Sequence, residues 1–185
     1  MNSLLTRIKT ACVYGLLALL FSPMASAHFM VAQHGTLNFV DDGVYMVLSL
    51  PMSAFSVEDI DGNGAISMVE FNTQRATVVA MLRRQVNLQD ANGAIYLDGL
   101  MLAPELDHDA AQEKISQLIV MGRYSLAESM GELKFSTNLF GVSAEEKLLE
   151  IKALEKSKNL TQEFRLSPDN TSESLIAQLS ANREP

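Results

Sequence analysis

Apolar and polar residues alternate along most of the chain, which is the pattern of strands with one buried face. In residues 29–50, two such stretches flank the turn Asp41-Asp42-Gly43 and predict a β-hairpin. Further alternating stretches follow at regular spacing: VNLQD (86–90), AIYLDGLML (94–102), QLIVMGRYSL (117–126), GELKFSTNLF (131–140) and TQEFRLSPDN (161–170). With polar turns between them, these stretches predict a mainly β fold, an Ig-like sandwich of two antiparallel sheets.

One stretch has the period of a helix. Met68, Phe71, Val78 and Leu82 recur three, seven and four residues apart, so residues 67–84 are predicted to form a helix with these side chains on one face. Arginines in its last turn complement the negative end of the helix dipole.

The segment EEKLLEIKALEK, residues 145–156, is ambiguous. Its composition favours a helix, whereas Leu149, Ile151 and Ala153 alternate as in a strand, and we predict a strand. Residues 28–170 are predicted to form a single domain, with an insertion at about 52–84, and residues 171–185 a polar tail.

The amino terminus has the pattern of a secretory signal peptide. Arg7 and Lys9 precede an apolar stretch, residues 11–21, and Ala25-Ser26-Ala27 offers the small residues of a cleavage site. The stretch is too short to span a membrane. Cleavage after Ala27 would leave His28 as the first residue of a periplasmic or secreted protein.

Charge and cysteine content narrow the function classes. Removing residues 1–27 takes away two of the 14 basic residues and none of the 22 acidic ones, so the formal charge moves from −8 to −10. Such a surface repels nucleic acid and anionic lipid. The only cysteine, Cys12, lies in the removed segment, so no disulfide is expected. No apolar run in the mature chain is long enough to cross a membrane.

The stretch DIDGNGAISMVE, residues 59–70, has the spacing of a calcium loop. Calcium takes six to eight oxygen ligands, and a twelve-residue loop supplies them from fixed positions. The candidate ligands are the side chains of Asp59, Asp61, Asn63 and Glu70, the carbonyl of Ala65, and Ser67 through a water. Gly64 stands where the loop turns sharply and a side chain would obstruct it. The alternative is a polar surface turn that matches the pattern by chance.

From about residue 55 to residue 80 the chain resembles the EF-hand superfamily, including the apolar Ile66 and the Phe71 that follows the last ligand. The segment before the loop, PMSAFSVE, has room for at most two turns of an entering helix, and the chain has no second loop. The resemblance therefore implies a calcium ion that braces the fold, with a Kd of about 10⁻⁴ to 10⁻³ M, and not a calmodulin-like switch.

A second resemblance concerns the whole domain. The stretches LPMSAF (50–55) and FRLSPDN (164–170), together with the order of the elements, are similar to the exported β-sandwich domain of HupE/UreJ-type bacterial membrane proteins. Those proteins continue into a membrane region, for which this sequence has no apolar run. The resemblance implies a binding or structural module of the cell envelope, with another envelope protein as its expected partner.

Other residues of the sequence bear on two further functions, copper binding and catalysis. The free α-amino group and imidazole of His28 would bind Cu(II), with His34 or Met30 completing the site, which makes a periplasmic copper-binding protein the alternative function. Enzymatic chemistry is disfavoured because the mature chain has no cysteine, no G-x-S-x-G elbow and no histidine clearly placed near a serine. No catalytic residue is predicted.

Overall fold

The computed structural model describes residues 32–107, 113–126 and 131–175. The elements are β1 (His34–Val40), β2 (Gly43–Pro51), α1 (Met68–Gln85), β3 (Val86–Asp90), β4 (Gly93–Ile95), β5 (Leu97–Leu106), β6 (Ile115–Ser125), β7 (Lys134–Thr137), β8 (Leu149–Glu155), β9 (Leu160–Leu166) and β10 (Ser172–Ser174), with three short 3₁₀ turns at Met52–Ala54, Glu145–Lys147 and Lys156–Lys158. The predicted signal peptide, residues 1–27, and the predicted mature start at His28 lie outside the described residues.

The strands form two sheets, which confirms the predicted mainly β sandwich. One sheet has six strands in the order β5-β6-β2-β1-β8-β9, and the other has four in the order β10-β7-β3-β4. One pair departs from the antiparallel prediction, because β1 and β8 run parallel. A parallel pair needs a long crossover, and here the chain between β1 and β8 passes through both sheets.

The core lies between the two sheets. The predicted apolar face of β2, formed by Val44, Met46, Leu48 and Leu50, is at most 1% exposed. The Tyr124 hydroxyl of β6 donates to the Val86 carbonyl of β3 across the core (3.4 Å), and Phe135 packs on Phe164 with ring centroids 6.5 Å apart.

The predicted helix is confirmed as α1, which buries Phe71, Val78 and Leu82. The ambiguous segment is also resolved, because residues from Leu149 onward form β8 and bury alternate side chains, as predicted for a strand. The preceding Glu145–Lys147 make a single 3₁₀ turn.

Some boundaries were predicted wrongly, among them the ends of GELKFSTNLF, of which only Lys134–Thr137 form a strand. The stretch AIYLDGLML is not one strand, because β4 ends at Ile95 and β5 begins at Leu97 in the other sheet. The polar tail does not begin at residue 171, because Ser172–Ser174 pair with β7 as β10 and the Leu175 amide donates to the Leu133 carbonyl. Leu175 is 2% exposed, and its burial fixes this end of the domain in the sandwich. Within the described residues, no helix is long and apolar enough to traverse a bilayer.

Candidate metal centre

The loop of residues 59–70 lies between the end of β2 and the start of α1. The predicted entering helix is reduced to the single 3₁₀ turn Met52–Ala54, and Phe55 after it is already extended. The exiting helix α1 has 18 residues. The loop therefore has a full helix on only one side.

The first half of the loop is wound around its own carboxylates. Asp59 accepts hydrogen bonds from the amides of Asn63 (Oδ1, 3.2 Å) and Gly64 (Oδ2, 2.7 Å), and Asp61 Oδ1 accepts from the same Asn63 amide (3.1 Å). Gly64 has φ +80° and Gly62 φ +69°, backbone conformations that side chains disfavour. The tight turn predicted at Gly64 is confirmed, and it directs the aspartates to the inside of the loop.

The second half of the loop is held by Glu70, which is only 5% exposed. Its Oε1 accepts from the Ile60 amide (2.8 Å), and its Oε2 accepts from the amide and hydroxyl of Ser67 (2.8 Å each). In return, the Ser67 hydroxyl accepts from the Glu70 amide (3.3 Å), so the two residues form the capping box of α1. These donors, the Ser67 amide first, lower the pKa of Glu70 to about 2, although burial opposes the shift.

Three of the predicted ligands converge. Asp59, Asp61 and Glu70 each place a carboxylate oxygen within 4.8 Å of the other two, with Asp59 and Asp61 on the solvent side and Glu70 buried. The ion pairs among the described residues involve other carboxylates, so these three negative charges face one another without a protein cation. A carboxylate offers about four acceptor sites, and the amide bonds leave room for further contacts. The cluster can hold a hard metal cation.

The remaining predicted ligands have different surroundings. Asn63 donates through Nδ2 to Asp61 (2.9 Å) and accepts the Ala65 amide through Oδ1 (2.8 Å), so its side chain stays within the loop. Ala65 is 9% exposed. Ser67, predicted to hold the ion through a water, is the N-cap of α1. This role could have been predicted from the spacing S-x-x-E.

The loop also contacts the six-stranded sheet, a contact that the sequence pattern does not predict. The carbonyl of Ile66 accepts a hydrogen bond from the amide of Ile115, the first residue of β6 (2.9 Å). Ile115 is 1% exposed, and Ile66 packs against the core. The centre of the loop is therefore joined to a strand of the sandwich.

The predicted copper residues are only partly within the described chain. His28 and Met30 lie outside it. The ring of His34 has Nδ1 2.8 Å from the Ala32 carbonyl and Nε2 3.0 Å from a Glu150 carboxylate oxygen. Both ring nitrogens of His34 therefore lie within hydrogen-bond distance of a protein oxygen.

Comparisons with known proteins do not assign the chain to a family. No protein-family model matches it, and no curated protein sequence matches it either. The fold and the loop define a β-sandwich protein with a candidate metal centre. The geometry of the loop therefore carries the functional argument.

Proposed function

We propose that residues 59–70 bind one calcium ion, which braces an exported β-sandwich module of the cell envelope. The observation that carries this proposal is the convergence of the Asp59, Asp61 and Glu70 carboxylates around a loop that turns at Gly64. The donors are oxygens, which suit Ca²⁺, Mg²⁺ or Mn²⁺ and not a soft metal.

Calcium is favoured over magnesium by the shape of the loop. Magnesium requires near-ideal octahedral geometry at short distances, whereas calcium accepts an irregular shell. The loop would supply carboxylate, amide and carbonyl oxygens from one short stretch of chain. Such a set forms an irregular shell, which suits the larger ion. Asp59, Asp61 and Glu70 would bind directly, with Asn63 and the Ala65 carbonyl completing the protein ligands and Ser67 holding a water.

The bound ion would act as a brace. The loop joins the end of β2 to the start of α1, and through Ile66 it also contacts β6. An ion that binds only the folded loop stabilises the fold by mass action, by about 1.4 kcal/mol at ten times Kd. For a domain of this size that corresponds to a rise in Tm of about 4 °C.

The test is thermal melting of the purified protein in EDTA and then in millimolar CaCl₂, MgCl₂, ZnCl₂ or CuCl₂. We expect calcium to raise the Tm most and Asp61→Asn, which changes an exposed ligand, to weaken the response. Glu70→Gln should abolish it. Glu146→Gln is the matched control, because the Glu146 carboxylate also accepts the amide of a serine three residues earlier, Ser143 (3.2 Å), but is not part of the acidic cluster. A wild-type Tm that ignores calcium, or a Glu70→Gln variant that responds fully, would exclude the calcium site.

We also propose that the protein is exported and associates with another envelope protein. The support is the signal-peptide pattern of residues 1–27 and the resemblance carried by LPMSAF and FRLSPDN. Amino-terminal sequencing of the protein from expressing cells should give His28 as the first residue. Recovery of the protein with Met1 retained would contradict export by this route.

A further inference from the structure

The loop has lost the element that normally orients its first ligand. In a helix-loop-helix site, the entering helix fixes the direction in which the chain reaches the first aspartate. Here the 3₁₀ turn ends at Ala54, and the chain from Phe55 to Asp59 has no regular structure. The Asn63 and Gly64 amides hold the Asp59 carboxylate, but without a further constraint the backbone that leads into Asp59 would have to be ordered each time an ion binds, at a cost in conformational entropy.

A side chain of the exiting helix supplies that constraint. The Gln74 amide group donates through Nε2 to the Glu58 carbonyl (2.7 Å) and accepts through Oε1 from the Glu58 amide (2.8 Å). Both backbone groups of the residue before Asp59 are therefore held by a single side chain. Gln74 lies just over one helical turn after Glu70, so the same helix fixes the last ligand and the approach to the first.

We infer that Gln74 is a positioning residue for the calcium loop and replaces the missing entering helix; this rests on the calcium site proposed above. Its paired hydrogen bonds hold Glu58 in place before the ion arrives, so Asp59 already points into the loop. Preorganisation of this kind raises affinity because less chain must be ordered on binding. Gln74 itself contributes no oxygen to the ion, since its amide is used by Glu58.

The experiment is isothermal titration of CaCl₂ into four forms of the protein at 20 °C, well below the Tm, with the Tm of each ion-free form measured in EDTA. The forms are wild type, Gln74→Met, Gln74→Glu and Asn72→Ala. Methionine keeps the length of the side chain but cannot make either bond. Glutamate can accept the Glu58 amide but cannot donate to the carbonyl. Asn72 is an exposed residue two positions away and so lies on another side of α1.

We expect the calcium Kd to rise about tenfold in Gln74→Met, from the extra backbone ordering that binding then requires. Gln74→Glu should lie between that variant and wild type, and Asn72→Ala should equal wild type. If Gln74 only supports the helix, the ion-free Tm will fall in Gln74→Met while the Kd stays at the wild-type value, and the inference is overturned with the calcium site intact. If wild type itself takes up no calcium, the site and the inference both fail.

Discussion

Two of the segments with the four-residue pattern S-x-x-E lie within the described residues and form chemically different sites. The first is Ser67 to Glu70, and the second is Ser143 to Glu146. In both, the serine hydroxyl accepts the glutamate amide and the glutamate carboxylate accepts the serine amide. We call each reciprocal serine–glutamate pair a box. The first box is the capping box of an 18-residue helix, whereas the second lies at a single 3₁₀ turn, Glu145–Lys147, whose N-cap residue is Ala144.

The two glutamate carboxylates differ in the other groups that surround them. Glu146 Oε2 accepts from the Ser53 hydroxyl (2.7 Å) and the Val142 amide (3.1 Å), so it is surrounded by neutral donors. Glu70 is surrounded by donors too, but its carboxylate also faces those of Asp59 and Asp61. A box whose carboxylate meets only neutral donors therefore has a structural role alone. The addition of two aspartates to the same box gives the capacity to hold a cation.

The largest expected effect is a difference between the two boxes in how much their stabilising effect depends on calcium. Replacing Glu70 by alanine should remove both the cap and the whole calcium-dependent gain, leaving the Ile60 and Ser67 amides without their acceptor. Replacing Glu146 by alanine should destabilise the protein equally with and without calcium. Denaturant unfolding in EDTA and in CaCl₂ measures both. Equal calcium gains in the two variants would mean that the boxes do not differ as described.

Replacing the glycine near each box by alanine should destabilise the protein for a different physical reason. Gly64→Ala forces a side chain into the left-handed region, which costs about 1–2 kcal/mol, and should also weaken calcium binding. Gly141→Ala places a methyl group against the Glu146 side chain and the Ser53 hydroxyl, an overpacking that typically costs about 1–3 kcal/mol. Its calcium Kd should be unchanged. Titration calorimetry and chemical unfolding of both variants test this, and a Gly141→Ala variant with weakened calcium binding would count against it.

Substitution of the serine in each box should give a smaller difference in stability. Ser67→Ala removes the N-cap of a long helix and should cost about 1 kcal/mol, the usual value for such a change. Ser143→Ala affects only a three-residue turn, so its cost should be smaller. Urea unfolding of the two variants gives the comparison. A larger loss for Ser143→Ala than for Ser67→Ala would contradict this order.

The smallest expected effect is the loss of folding stability in acid, as the two carboxylates take up protons. The pKa of Glu70 is lowered from 4.5 to about 2 and that of Glu146 is also lowered, chiefly by hydrogen-bond donors that outweigh burial. Groups with a lowered pKa in the folded state stabilise it above the unfolded pKa, and this contribution is lost as pH falls from about 4.5 towards 2. In EDTA, Glu70→Gln should flatten part of this acid-induced loss. Unfolding free energies measured from pH 6 to pH 2 check it, and an unchanged slope would contradict the assignment.

Local patterns in the sequence were sufficient for the elements that depend on local contacts. The alternation of Val44, Met46, Leu48 and Leu50 predicted the buried face of β2, and the spacing of Phe71, Val78 and Leu82 predicted that of α1. Both periods are set by the backbone geometry of the element itself. The acidic loop residues could also be predicted as a cluster, because they all lie within one short segment of the sequence.

Long-range features could not be predicted in the same way. The parallel pairing of β1 with β8 joins residues more than a hundred positions apart, and nothing in either strand marks its neighbour. The change of sheet at Tyr96 has no turn signal, because β4 and β5 read as one alternating stretch. The bonds of Gln74 to Glu58 and of Ile115 to Ile66 likewise depend on how the helix and the sheet are placed.

The hydrogen bond from the Ile115 amide to the Ile66 carbonyl bears on whether the loop can be transferred to another protein. A peptide of residues 59–70, or the same twelve residues grafted into an unrelated scaffold, would keep every candidate side-chain ligand and lose this backbone anchor from β6. The graft would have to order its own middle section on each encounter with an ion. A protein engineer who wanted the site elsewhere would have to transplant a strand end along with it.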